Sequence, residues 1–248
     1  MSGHSKWAQI KRQKGVADIK RGQTFTKLAN AVTIAVRQGG GIADPESNFR
    51  LRLAIEKAHQ ANMPKENIER AVKRAQGKEG GELEEVIYEG YGPGKVAIVV
   101  EAATDNKQRT TAEIRNIFEK GGGILGGKGS VAYLFDAVGQ ISLKKEGKSP
   151  DEIMLAAIDL GAQDVEETPD SVEVYTKPEG LNQVKEKLVG QSFKVVSAEL
   201  EMRPKTTVVI SDPGMAQKIL EFVEKLEGLD DVQKVYANFD IPEELLKG

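Results

Sequence analysis

The hydrophobic pattern of this 248-residue chain changes from helical to mixed at one glycine-rich segment. Residues 77–82, Gly-Lys-Glu-Gly-Gly-Glu, have the composition of a linker. Before this linker, apolar residues recur at the three- and four-residue spacing of amphipathic helices. After it, short apolar runs rich in β-branched residues alternate with helical patterns. The chain is therefore predicted to be an α+β multidomain protein with a helical N-terminal part.

Residues 1–78 predict a polar arm over residues 1–22, followed by a three-helix bundle. Gly39-Gly40-Gly41 ends the first helix, Asp44-Pro45 supplies an acidic cap and a proline to start the second, and Pro64 and Gly77 bound the third. The apolar residues of the three inner faces are, in chain order, Phe25, Leu28, Ala29, Val32, Ala35, Leu51, Ala54, Ile55, Ala58, Ile68, Ala71, Val72 and Ala75.

Two ferredoxin-like α/β domains are predicted after the linker, one inserted in the other. Residues 140–200 follow the order β-α-β-β-α-β, which is that of a ferredoxin-like sandwich. The pattern over residues 96–135 predicts the order β-α-β, in which residues 131–135 form the second strand. The pattern over residues 206–238 predicts the same order. Together these two halves would form a second sandwich. The predicted domains are 1–78, 79–138 with 204–248, and the inserted 139–203.

Charge is distributed unevenly along the chain, although the formal net charge is only -3. Residues 1–78 hold 16 basic and 6 acidic side chains, a difference of +10. Residues 79–248 hold 19 basic and 32 acidic side chains, a difference of -13. A basic third joined to an acidic remainder is typical of a protein that binds a polyanion and has a separate body.

The predicted nucleic-acid contacts come from the arm and from the outer faces of the helices. Cations on an arm can follow a phosphate backbone, and an indole can stack on an unpaired base or pack against the bundle. The alternative is that these are ordinary charges of surface helices, which leaves the bias of sign unexplained. The candidate residues are Lys6, Trp7, Lys11, Arg12, Lys14, Lys20, Arg21, Lys27, Arg50, Arg52, Arg70, Lys73 and Arg74.

Nothing in the sequence predicts an enzyme, a cofactor or a metal site. The chain has no cysteine and only two histidines, His4 and His59, which lie far apart in the sequence. Thr104-Asp105-Asn106 with Arg109 is better explained by helix capping and a local ion pair than by a polar site. No apolar run approaches 18 residues, and the N-terminus lacks the apolar part of a secretory signal. We expect a cytoplasmic monomer that acts on no small-molecule substrate and contacts no membrane.

One segment resembles a phosphate-binding loop without meeting its requirements. From Gly122 to Lys128 the spacing is G-x-x-x-x-G-K, but residue 129 is glycine where a magnesium-binding serine or threonine belongs. A helix precedes this loop and a strand is predicted to follow it, which reverses the usual context. The loop is therefore interpreted as a helix-to-strand connection, with Lys128 available to an anionic partner.

Ordered motifs along nearly the whole chain carry a resemblance to a known family. These motifs are Gly3-His4-Ser5-Lys6-Trp7, Phe25-Thr26-Lys27-Leu28, Asn62-Met63-Pro64-Lys65, Asn67-Ile68-Glu69-Arg70-Ala71, Tyr88-Glu89-Gly90-Tyr91-Gly92-Pro93-Gly94, Thr104-Asp105-Asn106, Arg109-Thr110 and Gly129-Ser130-Val131-Ala132. They resemble the YebC/PmpR family, whose mitochondrial relatives are translational activators of cytochrome oxidase. Lys95 stands where the family is expected to have glycine, and Tyr133 where tryptophan is common.

The resemblance implies three domains and a cytoplasmic regulator of gene expression that binds nucleic acid through its basic N-terminal region. Bacterial members are described as DNA-binding transcriptional regulators, which makes DNA-binding regulation of transcription the first hypothesis. Other members associate with the ribosome and assist translation at difficult, proline-rich sequences. A ribosomal-RNA-associated translation factor is therefore the alternative. A third hypothesis is a protein-interaction module in which the acidic domains matter most.

Overall fold

The computed structural model describes residues 19–77, 83–242 and 245 of the chain, and the described residues form helices, two four-stranded sheets and a short two-stranded parallel sheet. The helices are α1 Ile19–Gln38, α2 Phe49–Gln60, α3 Lys65–Gln76, α4 Lys107–Lys120, α5 Pro150–Asp159, α6 Leu181–Gly190 and α7 Pro213–Glu227. The strands are β1 Glu84–Tyr91, β2 Ala97–Thr104, β3 Ile124–Leu125, β4 Phe135–Lys144, β5 Asp164–Glu167, β6 Ser171–Thr176, β7 Val195–Pro204, β8 Val208–Val209, β9 Val232–Ala237 and β10 Phe239–Asp240.

The chain forms two compact units, of which the second comprises residues 135–203 and the first comprises the residues on either side of it. The predicted α+β class, with a helical N-terminal region and two sheet-containing parts, is confirmed. The further division of the chain into three domains stays a prediction.

Helices α1, α2 and α3 pack together through the apolar faces that the periodicity predicts. Val32, Leu51 and Ala58 are fully buried, and Ile68 and Ala71 of α3 are almost so. Gly40 and Gly41 follow α1 with φ of 71° and 84°, a left-handed conformation that a side chain would disfavour. The glycine run therefore ends α1 as predicted.

Two helix starts differ from the prediction. Helix α1 begins at Ile19, so the predicted arm over residues 1–22 is too long at its C-terminal end. Helix α2 begins at Phe49 instead of after Asp44-Pro45, because Asn48 is its cap. The Asn48 Oδ1 accepts from the Leu51 backbone N–H at 3.1 Å, while its Nδ2 donates to the Ala35 carbonyl at 2.9 Å. Asn48 thus satisfies α2 and the end of α1 together, which the exposed Asp44 does not.

In the first unit, a sheet of order β3-β1-β2-β9 covers α4 and α7 on one face. Its neighbouring strands are antiparallel, and Ile98, Val100 and Ala102 of β2 point into the main core. Phe118 of α4 and Phe222 of α7 meet edge to face with ring centroids 5.1 Å apart. Helix α1 contacts β2 and β9, which ties the helical region to the sheet.

The predicted strand at 131–135 is wrong, and β1 was not predicted. Residues 132–134 form a short 3₁₀ turn, and the strand that follows, β4, belongs to the sheet of the second unit. The backbone N–H groups of Val131 and Ala132 donate to the Glu89 carboxylate and so are not available to a strand ladder. The sheet therefore starts with the β1–β2 hairpin instead of β-α-β.

The second unit has the strand order β5-β6-β4-β7 and two helices, α5 and α6. The pairs β4–β6 and β5–β6 are antiparallel. This order is that of the β-α-β-β-α-β sandwich predicted from the sequence. Helix α5 starts with a capping box in which Ser149 and Glu152 exchange hydrogen bonds.

Candidate nucleic-acid interface

Part of the predicted interface lies outside the described residues. Lys6, Trp7, Lys11, Arg12 and Lys14 belong to this part. Lys20 and Arg21 lie in the first turn of α1. The described side chains of the predicted interface are therefore those of Lys27, Arg50, Arg52, Arg70, Lys73 and Arg74.

The three of these cations that lie outside α3 form hydrogen bonds within the protein. The Lys27 Nζ donates to the Glu227 carbonyl at the end of α7. The Arg50 Nη1 donates to the Gln38 Oε1 at 2.7 Å. Arg52 donates from its Nε to the Pro45 carbonyl at 3.1 Å and from its Nη2 to the Glu46 carbonyl at 3.2 Å. These contacts give Lys27 and Arg52 structural roles, in the α1–α7 junction and in the loop before α2.

Helix α3 presents two exposed cations of the described set. Ile68 and Ala71 face inward, and Arg70 and Lys73 lie one turn apart on the opposite, exposed side. Within the described part of the chain neither side chain has a hydrogen-bond or salt-bridge partner. We call this pair the α3 basic face.

Arg74 differs from its neighbours on α3. It is half-buried, and its Nη1 lies 3.4 Å from the Oδ1 of the buried Asn30 on α1. This long contact ties α3 to α1, so the charge of Arg74 is only partly available at the surface. Of the three α3 cations predicted from the sequence, Arg70 and Lys73 are the two whose side chains are exposed and accessible to a ligand.

The glycine-rich loop that resembles a phosphate loop encloses a carboxylate of the protein itself. The buried Glu89 accepts from the backbone N–H groups of Gly129 at 2.7 Å, Val131 at 2.9 Å and Ala132 at 2.8 Å. Burial raises the pKa of Glu89. The three hydrogen bonds and the charge of Lys128 lower this pKa by more than burial raises it, so the net shift is downward. The loop therefore resembles an anion site because an internal anion fills it.

A second carboxylate organises the motif at Thr104. The Asp231 Oδ2 accepts from Thr110 at 2.6 Å, from the Arg109 Nη2 at 2.8 Å and from Thr104 at 3.0 Å. Asn106 caps α4 by accepting from the Arg109 backbone N–H, and Arg109 pairs with Asp105 at 3.0 Å. The predicted ion pair is present, and the cap of α4 lies within the predicted motif, at Asn106. Asp231 has no sequence signal of its own, because it lies 121 positions from Thr110.

No group of three histidine, aspartate or glutamate side chains in the described part of the chain could hold a metal ion. No described helix is both long and apolar enough to cross a bilayer.

Comparison with known proteins gives matches along almost the full chain. Residues 5–78 match the TACO1/YebC N-terminal domain, and residues 83–239 match the TACO1/YebC second and third domain. The chain belongs to the TACO1/YebC family. This confirms the resemblance to the YebC/PmpR family found in the sequence.

Relatives in the TACO1/YebC family are similar over their whole length. A protein of Dictyoglomus thermophilum is 52% identical over 100% of this chain and 99% of its own, and one of a Sulfurihydrogenibium species is 53% identical over 100% and 98%. Both are named probable transcriptional regulatory proteins. A conserved hypothetical protein of Aquifex aeolicus has a similar crystal structure, with a TM-score of 0.85 and 47% identity over 93% of this chain and 95% of its own.

Three of the motifs that carry the family resemblance form hydrogen-bonded clusters in the first unit. Gly129-Ser130-Val131-Ala132 supplies the N–H groups that bind Glu89. Thr104-Asp105-Asn106 and Arg109-Thr110 form the cap of α4 and the cluster around Asp231. These motifs therefore contribute to the fold of the first unit.

Proposed function

We propose that this protein is a non-enzymatic, DNA-binding regulator of transcription, and that the α3 basic face is its central contact with the phosphate backbone. The observation that carries the proposal is the exposure of Arg70 and Lys73 side by side on one helix, without described partners. The names of the relatives, which describe probable transcriptional regulators, support the same assignment.

The electrostatics of the N-terminal region support a polyanion as ligand. The excess of ten positive charges in residues 1–78 attracts phosphate groups over distances comparable with the Debye length, about 8 Å at physiological salt. Phosphate contacts of this kind position a protein on nucleic acid without reading the base sequence. The α3 basic face is therefore proposed to supply affinity and orientation.

Two hydrogen-bonded carboxylates of the first unit support a non-enzymatic function. Glu89 and Asp231 each accept three hydrogen bonds from the protein and have lowered pKa values. A general acid or base works best at neutral pH when its pKa is near 7. A carboxylate would need a raised pKa for that role, whereas the pKa values of Glu89 and Asp231 are lowered. Both groups are engaged in holding loops and helix ends.

Charge reversal on the α3 basic face tests the proposal. The full chain and its Arg70→Glu, Lys73→Glu variant are titrated against a fluorescent DNA duplex at several salt concentrations. Loss of two phosphate contacts should weaken binding by about tenfold or more and reduce the slope of log affinity against log salt by ~1.8. An unchanged slope would remove the α3 basic face from the interface.

The matched control reverses two exposed lysines of the second unit, Lys177→Glu with Lys187→Glu, and changes the net charge by the same amount. This control should leave the salt slope unaltered, because its lysines lie outside the basic third. Equal losses in the two variants would show a general charge effect without a defined face.

The alternative, a translation factor bound to ribosomal RNA, is tested by gradient sedimentation of cell extract at low and high salt. A transcription regulator should footprint promoter DNA and sediment apart from ribosomes. Salt-sensitive co-sedimentation with ribosomes, without a footprint, would overturn the transcription assignment in favour of translation.

A further inference from the structure

Two tyrosines and an isoleucine form an exposed surface at the β1–β3 edge of the first unit. Tyr91, at the end of β1, is 36% exposed, and Tyr133, in the 3₁₀ turn at 132–134, is 62% exposed. The pKa of Tyr91 is raised, chiefly by its interaction with the Tyr133 hydroxyl. Ile124 of β3 pairs directly with Tyr91, so both side chains lie on the same face of the sheet, and Ile124 is 73% exposed. We call these three residues the tyrosine surface.

The tyrosine surface is mounted on a fixed backbone. Glu89, two residues before Tyr91 and on the same face of β1, binds the N–H of Ala132, the residue before Tyr133, at 2.8 Å. Its other carboxylate oxygen binds the N–H of Gly129, whose φ of 84° lets the loop curve around the carboxylate. Both tyrosines are therefore positioned by one buried ionic group, which limits the entropy lost when a ligand binds them.

The two segments that carry the tyrosine surface are opposite in charge to residues 79–248 as a whole. The two segments that build it, residues 90–96 and 120–134, contain Lys95, Lys120 and Lys128 and no acidic residue. All three lysines are exposed, and none of them forms a salt bridge with a described carboxylate. Residues 79–248 as a whole carry a charge of -13. The tyrosine surface is thus a cationic and aromatic region within the acidic part of the chain.

We propose that the tyrosine surface binds unpaired bases of a single-stranded nucleic acid, with the three lysines contacting its phosphates. Exposed aromatic rings stack on any base, and nearby cations follow the backbone, which is the common chemistry of single-strand binding. Exposed lysines in the segments that carry the rings, without salt-bridge partners among the described residues, favour a polyanion over a protein segment. The inference rests on the proposed function only in sharing nucleic acid as the ligand, since it assigns a second and separate contact.

Stacking is tested directly with an oligothymidylate, and with an oligouridylate, that each carry one 2-aminopurine. Stacking on an aromatic ring changes the fluorescence of this base, and anisotropy of an end label gives the affinity in the same titration. The full chain should bind and quench the probe. Tyr91→Ala with Tyr133→Ala should weaken binding by about tenfold per tyrosine and abolish the quenching, because each stacked ring is lost.

Two variants control for the rings and for exposed apolar area. Tyr91→Phe with Tyr133→Phe keeps both rings and should bind within about twofold of the parent. Leu155→Ala with Ile158→Ala removes two exposed apolar side chains from α5 of the other unit and should change nothing. Thermal unfolding checks that each variant is folded.

The lysines provide a test that leaves both tyrosines in place. Lys95→Gln with Lys128→Gln should reduce the salt slope on the single-stranded probe by ~1.4. Unchanged affinity, quenching and slope in the tyrosine and lysine variants would overturn the inference, as would a parent protein that does not quench either probe. The Arg70→Glu, Lys73→Glu variant separates the two proposals, because it should lose duplex binding while the tyrosine surface still quenches 2-aminopurine. Quenching of the DNA probe or of the RNA probe alone would identify the preferred strand.

Discussion

Glu89 and Val131 are joined by a hydrogen bond of 2.9 Å, from the Val131 backbone N–H to the Glu89 carboxylate, across 42 positions of sequence. Gly129 and Ala132 donate to the same carboxylate. A single buried side chain therefore holds a loop that contains three glycines between residues 126 and 129. Without this carboxylate, three backbone N–H groups would have to find other partners or remain unsatisfied.

The first prediction concerns Glu89→Gln. The glutamine amide keeps the size of the carboxylate but presents an NH₂ group to N–H donors, so at least one hydrogen bond is lost. We expect the free energy of unfolding to fall by about 1–3 kcal/mol, measured by urea denaturation at neutral pH. Glu113→Gln, at an exposed position of α4, is the control and should be neutral. Equal midpoints for the two variants would contradict the role assigned to Glu89.

The second prediction concerns acid pH. Burial raises the pKa of Asp231. Hydrogen bonds from Thr110, Arg109 and Thr104 and the charge of Arg109 lower this pKa by more, so its net shift is downward. The pKa of Glu89 is also lowered. A carboxyl group whose pKa is lower in the folded state stabilises the fold above its unfolded pKa, near about 4, and loses that contribution as pH falls through the folded pKa. The stability difference between the parent and Glu89→Gln should therefore be constant from pH 7 to about 5 and shrink below about 4. A difference that grows with acid would reverse the sign and refute the assignment.

The third prediction concerns Thr110→Val. The Thr110 hydroxyl is buried, donates to Asp231 at 2.6 Å and lies 2.8 Å from the Thr104 hydroxyl. Valine keeps the shape but removes the donor, so unfolding free energy should drop by about 1–2 kcal/mol. Thr26→Val, at an exposed position of α1, makes the same chemical change and should have little effect. Thermal or urea unfolding of the two variants gives the comparison.

Sequence periodicity was sufficient to predict the helices, because their stability comes from apolar faces that repeat locally. The inward positions of α3 and the two helices of the second unit follow this rule. It failed where a long-range partner decides the structure. The apolar run at Val131 is not a strand, because the Glu89 carboxylate accepts its backbone N–H group. Strand β1 contains three glutamates and a glycine, and it is a strand because β2 and β3 pair with it on either side.

The candidate interface shows the same limit. Charge counting identified the basic third, but it could not separate Arg70 and Lys73 from Arg52 and Lys27. The difference lies in tertiary contacts, since Arg52 donates to Pro45 and Glu46 and Lys27 to Glu227. The tyrosine surface also could not be predicted from the sequence. Tyr91 and Tyr133 lie close together only because the loop before Tyr133 is hydrogen-bonded to Glu89.

The fourth prediction compares two acceptors before α2. Asn48 is buried and links the cap of α2 to the carbonyls of Ala35 and Ile42. Asn48→Ala should therefore cost about 2 kcal/mol of unfolding free energy, combining a lost cap with unsatisfied buried groups. Asp44→Ala, which removes only an exposed turn contact to Glu46 and Ser47, should cost a few tenths by comparison. If Asp44 proved the more costly of the two, the helix would have to start where the sequence pattern placed it.

The fifth prediction separates structure from binding with two arginines of the helical region. Arg52→Gln removes the guanidinium contacts to the carbonyls of Pro45 and Glu46, so stability should fall by about 1–2 kcal/mol while duplex affinity at low temperature stays within about twofold. Arg70→Gln should do the reverse, with unchanged stability and a salt slope smaller by ~0.9. Urea unfolding and salt-dependent anisotropy on both variants give the four values. The two arginines carry the same charge and differ only in their surroundings. If fully folded Arg52→Gln lost duplex affinity and Arg70→Gln did not, the interface would lie at the start of α2 and not on α3.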